Sequence, residues 1–160
     1  DIILYMDTPG GVSSGIGELA EIIHSSNKNT IAYTDGQCCS AGYVIASAAK
    51  KLYSLPSATV GSIGACITLM KEKDSVIDYY IMGEGEQKLF GNPNVAVTPE
   101  ELSFFKGMVH ESYEWINLTV SRYRGVDVDT VKATKSGYYD ASSAPDWMVD
   151  DFMTSNGLNI

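Results

Sequence analysis

The sequence predicts an α/β domain. Short apolar runs of strand length alternate with segments of helical spacing, two of those runs end in glycine- or serine-bearing turns, and a long amphipathic stripe fills much of the second half. In such a domain ligands gather at the C-terminal ends of the strands.

Ile2 to Met6 is apolar and stops at Asp7-Thr8-Pro9-Gly10-Gly11, so it reads as a buried strand closed by a turn. Ile16, Leu19, Ala20 and Ile23 recur at helical spacing behind the capping candidates Ser13 and Ser14, and predict a helix of about three turns. Thr30 to Thr34 is strand-like. After Asp35-Gly36-Gln37-Cys38-Cys39-Ser40, the small-residue run Ala41 to Lys51 predicts a tightly packed helix ending in two lysines. Leu52 to Leu55 is a third strand, Pro56-Ser57 a turn, and Val60 to Met70 a glycine-punctuated segment with strand character. Leu102, Phe105, Val109, Ile116 and Val120 then lie near one helical stripe, with Thr98 as N-cap and Pro99 at the first helical position. Beyond Arg124-Gly125 the pattern is irregular: Val126 to Ala133 predicts a short helix, and residues 126–160 are only loosely assigned.

At 160 residues the chain fits a single domain, 1–160, with a core that needs no staples. No apolar run approaches the roughly 20 residues that cross a bilayer, so no membrane contact is expected of this stretch. Twenty acidic against eleven basic side chains give a net charge of -9, which repels phosphate backbones and argues against a nucleic-acid partner. Three cysteines, two adjacent, make neither a disulfide framework nor a zinc site, so reduced thiols in a cytoplasmic setting are expected and no metal or other cofactor is implied. The chain opens at Asp1 straight into a strand, without initiator Met, signal peptide or anchor, and reads as a fragment whose N-terminal portion has been removed.

Two strand-to-helix corners carry chemistry. Thr8-Pro9-Gly10-Gly11 can turn bare backbone amides toward a ligand, although a tight turn alone has the same composition. Cys39-Ser40-Ala41-Gly42 puts a hydroxyl at a helix N-terminus, where an ordinary capping serine is the competing reading. Together the corners can supply a nucleophile, Ser40, and a two-donor oxyanion hole from the Gly11 and Ala41 amides.

Asp7-Thr8-Pro9-Gly10-Gly11, Cys39-Ser40-Ala41-Gly42-Tyr43 and Val60-Gly61-Ser62-Ile63-Gly64, in that order, resemble the motifs of the signal peptide peptidase A family, the S49 peptidases. The resemblance runs from Ile2 to about Gly125, and Glu86-Gln87-Lys88 followed by Gly91-Asn92-Pro93 is similar to the segment bearing that family's catalytic lysine. It implies a ClpP/crotonase-like fold and a serine endopeptidase with a Ser-Lys dyad. Ser40 is then the nucleophile and Lys88 the general base, with the Ser62 hydroxyl orienting the amine and Gly11 and Ala41 forming the oxyanion hole. A polypeptide substrate is expected as an extended strand between Gly10-Gly11 and Gly61-Ser62-Ile63-Gly64. A lysine base must be neutral, which calls for a dry apolar wall; Leu89 and Phe90 are suited to it, whereas Glu84 and Glu86 must point away. Neither His24 nor His110 falls between Ser40 and Lys88, which disfavours a Ser-His-Asp triad, and Cys39 is a rival nucleophile. Asn117-Leu118-Thr119 matches a glycosylation sequon but lies mid-helix.

Within that family, phage-encoded members trim scaffold or capsid proteins in the host cytoplasm or the assembling head, whereas cellular members are membrane-anchored and clear signal peptides. The Gly91-Asn92-Pro93 segment and Arg122-Tyr123-Arg124-Gly125 resemble the phage branch, while an anchor in a missing N-terminal segment keeps the cellular alternative open. Family members form rings, so a homo-oligomer is implied. Trp147-Met148-Val149-Asp150-Asp151 follows the family's closing motif only loosely. A crotonase-type acyl-CoA enzyme and an inactive scaffold module are the alternatives from other classes.

Overall fold

The computed structural model describes residues 1–72, 76–85 and 87–158. Its strands are β1 (Ile2–Tyr5), β2 (Thr30–Thr34), β3 (Gln37–Cys39), β4 (Lys51–Ser54), β5 (Thr59–Gly61), β6 (Tyr138–Asp140) and β7 (Asp151–Phe152). The α-helices are α1 (Ile16–His24), α2 (Ala41–Ser47), α3 (Pro99–Arg124) and α4 (Val128–Lys132).

One sheet has the order β1-β2-β4-β7, and all its pairs are parallel. Parallel neighbours need crossovers rather than hairpins, and α1 and α2 lie in the first two. The second sheet runs β3-β5-β6, parallel and then antiparallel, and sets Cys39 opposite Gly61. Chain contacts divide the protein into two compact units, Asp1–Gly64 with Ser112–Ile160, and Ala65–Glu111. The first unit contains both sheets and a core that includes Ala32, Tyr33, Tyr43, Val44, Leu52 and Val60, each at most 1% exposed. In the second, Phe90 stacks on Phe104 and Phe105, and the buried Glu101 carboxylate accepts from the Gly91 amide at 2.6 Å. No helix among the described residues is long and apolar enough to cross a membrane.

Several elements differ from expectation. β1 is not buried: among the described residues it pairs only with β2, so Ile2 and Tyr5 are 42% and 57% exposed. α1 is capped by Gly15 at φ 80 instead of by a serine side chain, and its nine residues make about two and a half turns. It buries Ile16, Ala20 and Ile23 and leaves Leu19 exposed. β3 was hidden inside a predicted turn, being too short to show a period. α2 stops at Ser47, and Lys51 opens β4; the Lys50 amide donates to Thr30 Oγ1 at 3.1 Å and draws the chain onto β2. β5 ends at Gly61 because Gly61 (φ 114) and Ser62 (φ 52) turn the chain out of the ladder. α3 starts as predicted, with Thr98 Oγ1 accepting from the Glu101 amide at 3.1 Å. The sequon asparagine, Asn117, is fully buried and donates to the Tyr113 carbonyl at 2.7 Å, so it offers no acceptor site for a glycan.

The loosely assigned C-terminal region is fastened where the sequence looked least regular. Arg124, with its side chain 8% exposed, donates from Nε to the Trp147 carbonyl at 2.9 Å and from a terminal nitrogen to Asp150 Oδ2 at 3.1 Å. The same carboxylate accepts from the Leu52 amide at 2.7 Å, and the Asp150 amide donates to the Leu52 carbonyl at 2.8 Å, which aligns β7 with β4. Charge-assisted bonds of this kind contribute roughly 1.5–3 kcal/mol. Arg124→Ala should therefore lower the unfolding free energy by about 2 kcal/mol, read as a lower urea midpoint at unchanged slope. An unmoved midpoint would show that the clamp adds nothing to stability.

Candidate active site

Three chain corners meet at the C-terminal ends of β1, β3 and β5. Past β1, Thr8 forms a parallel bridge to Cys38: its amide donates to the Gln37 carbonyl at 2.8 Å and its carbonyl accepts from Cys39 at 3.1 Å. Thr8 Oγ1 accepts from the Gly10 amide at 3.1 Å, which fixes the turn and leaves the next amide, Gly11, exposed and without an acceptor among the described residues. Gly10 is required here. Its φ is 115, and a Cβ on it would lie 2.5 Å from Ser40 Cβ and 3.0 Å from Ser40 Oγ.

The second corner holds Ser40 between β3 and α2. A capping serine has an extended backbone and accepts a bond from the first turn. Ser40 instead has φ 52 and ψ -124 and makes no capping bond, which removes the structural reading of this residue. Such a conformation costs on the order of 1–3 kcal/mol and is the kind of sharp strand-to-helix turn that presents a nucleophile. The amide of Ala41, first in α2, has no acceptor among the described residues, as expected of a helix start. It therefore lies beside the half-buried Ser40 as an available donor.

At the third corner the Gly61 carbonyl accepts from the Ser40 amide at 2.9 Å, so Ser62 follows one register step beyond the Cys39–Gly61 pair. Ser62 is half-buried, and its amide donates to the Gly137 carbonyl at 2.7 Å. Ser40 is thus next to both Gly10 and Gly61, with Gly11, Ala41, Ser62, Ile63 and Gly64 following them in the chain. Thr8 and Gly137 escaped the sequence reading. Thr8 could have been found from its place before Pro-Gly-Gly, a turn that a hydroxyl can close, whereas nothing local marks Gly137 as a partner of a residue so distant in the chain.

Lys88 belongs to the second unit, in a turn where its amide donates to the Gly85 carbonyl at 3.0 Å, and its side chain is exposed. Of the expected dry wall, Phe90 is turned onto Phe104 and Phe105, and Leu89 is half-buried. Glu84 is exposed, and Glu86 lies outside the described residues. The rival nucleophile Cys39 is buried, with its Sγ 3.6 Å from the Thr59 carbonyl, and burial pushes its thiol up, away from the reactive thiolate. His24 is occupied against the Tyr123 ring at 4.7 Å.

Residues 23–156 match the profile of peptidase family S49. Among curated proteins, the chain is 29% identical over 162 residues to "Capsid assembly protease C" of Escherichia phage lambda, covering 96% of this chain and 37% of that protein. It is 24% identical over 148 residues to "Head-tail preconnector protein GP5" of Enterobacteria phage P21, covering 89% and 30%. Similarity to "Probable protease SohB" of Haemophilus influenzae is 27% over 169 residues, 99% and 47%. The chain thus spans between 30% and 47% of the length of these relatives.

Proposed function

Because the chain belongs to peptidase family S49, of the ClpP/crotonase-like fold, we propose that it carries the catalytic part of a serine endopeptidase with a Ser40–Lys88 dyad. Ser40 Oγ attacks the scissile carbonyl carbon and its proton passes to neutral Lys88 Nζ. The resulting oxyanion is held by the Gly11 and Ala41 amides. Collapse breaks the C–N bond, and the leaving amine takes the proton from Lys88. Water, deprotonated by Lys88 Nζ, then attacks the acyl-Ser40 ester; the C–O bond to Ser40 breaks, Ser40 Oγ takes the proton back from Lys88, and the acid is released. Ser62 Oγ orients the lysine amine.

The observation that carries this reading is Ser40 itself, held in a strained turn, free of a capping bond and beside unpartnered amides. Two phage relatives, one named a capsid assembly protease and the other a head-tail preconnector protein, support a capsid or scaffold protein as substrate, cut in the host cytoplasm or the assembling head. The substrate lies as an extended strand between Gly10-Gly11 and the Gly61-Ser62-Ile63-Gly64 wall, and the enzyme works as a homo-oligomer.

A fluorophosphonate probe should label wild-type protein at Ser40 and leave Ser40→Ala unlabelled. In Ser62→Ala, labelling should slow about tenfold without disappearing, since an orienting hydrogen bond matters less than the groups that bond or transfer the proton. Labelling of folded Ser40→Ala at the wild-type rate would place the nucleophile elsewhere.

A further inference from the structure

The segment after α4 braces the far side of the Ser62–Gly64 wall, and it does so with a side chain. Lys135 and Ser136 both adopt positive φ, 51 and 55, a pair of conformations that non-glycine residues enter only when held there. They are held: the Lys135 amide donates to the Lys132 carbonyl at 3.0 Å, and the Gly137 amide to the Thr134 carbonyl at 2.9 Å, which also accepts from the Tyr139 hydroxyl at 3.1 Å. This kinked loop lets Gly137 continue the β5–β6 ladder by accepting from Ser62, and then turns Ser136 Oγ onto the Ile63 carbonyl at 2.8 Å. A serine hydroxyl thus takes over where the backbone ladder ends. The fit is close, because a Cβ on Gly64 would lie 2.3 Å from Ser136 Oγ.

We propose that Ser136 is a positioning residue for substrate binding: its hydroxyl fixes the Ile63 carbonyl and so holds in place the Ser62–Gly64 segment, past the turn at Gly61 and Ser62, as the wall against which a peptide strand can lie. The proposal rests on the peptidase reading above. Ser136 does not touch the reacting atoms, so its loss falls on substrates that use the wall. A long peptide pairs with several wall residues, whereas a short ester needs only the nucleophile and the oxyanion donors.

Two substrates separate these contributions in the full chain: a quenched decapeptide rich in alanine and leucine, and the nitrophenyl ester of acetyl-alanine. Ser136→Ala should raise KM for the decapeptide about tenfold with kcat within threefold of wild type, while kcat/KM for the ester falls no more than threefold. Ser136→Gly removes the hydroxyl without backbone strain and should behave the same way. An unchanged decapeptide KM in Ser136→Ala overturns the proposal. So does a wild-type KM in Ser136→Gly, which would trace the effect to backbone strain, and so does an equal loss on the ester, which would mean general damage. Absence of fluorophosphonate labelling in wild type would sink the peptidase reading and this inference with it.

Discussion

Lys88→Arg should yield a folded protein in which acylation of Ser40 is about a thousandfold slower. A general base must first be neutral. A lysine ammonium can lose its proton when its surroundings are dry enough, whereas a guanidinium stays charged throughout the range in which proteins remain folded. Arginine therefore retains charge and reach and removes only the capacity to accept the Ser40 proton. General-base assistance contributes typically two to four orders of magnitude, so fluorophosphonate labelling should fall about a thousandfold. If Lys88 instead held substrate by charge alone, arginine would rescue much of the rate. Near-wild-type labelling of Lys88→Arg would thus remove the lysine from the dyad and leave Ser40 in need of another base.

The exposure of Lys88 bears directly on this experiment. Lys88 is exposed in its own unit, while in the other unit the Gly11 and Ala41 amides have no acceptor among the described residues. The Ser40 half of the reading is carried by backbone geometry, and the Lys88 half by its place in the family's sequence pattern.

How legible each part was follows from the range of the interactions that define it. β2 and the start of α3 were readable because their signals are local: an isolated strand-like run at Thr30–Thr34, and a threonine cap followed by Pro99. The corners at Gly10 and Ser40 were readable as turns for the same reason. Their contact with each other was not, since it depends on Thr8 bridging Cys38, and β3 is too short to announce itself. Exposure of β1 followed from its having a neighbour on one side only, a property of sheet order that the apolar run Ile2–Met6 could not reveal. The C-terminal region was least legible because long-range bonds organise it, from Arg124 to Trp147 and Asp150 and from Asp150 to Leu52.

Gly10→Ala should severely slow the reaction of Ser40 with a serine probe. The added carbon would stand 2.5 Å from Ser40 Cβ, 3.0 Å from Ser40 Oγ and 3.2 Å from the Cys39 carbonyl, and the backbone at φ 115 is one that an L side chain rarely adopts. Two of these neighbours belong to Ser40, the proposed nucleophile, and the third belongs to Cys39, the strand residue before it. Relief is possible only if Ser40 moves or the Thr8–Gly10 turn opens, and displacement of a reacting group by about 1 Å can cost on the order of a hundredfold in rate. Gly11→Ala provides the control in the same turn: its Cβ would meet nothing within 4 Å, and the backbone N–H proposed for the oxyanion survives the change. Labelling by fluorophosphonate should therefore slow about a hundredfold in Gly10→Ala and far less in Gly11→Ala, with both proteins checked for folding by circular dichroism. Equal rates in the two variants would mean that the contact between Gly10 and Ser40 does not set the geometry of the nucleophile.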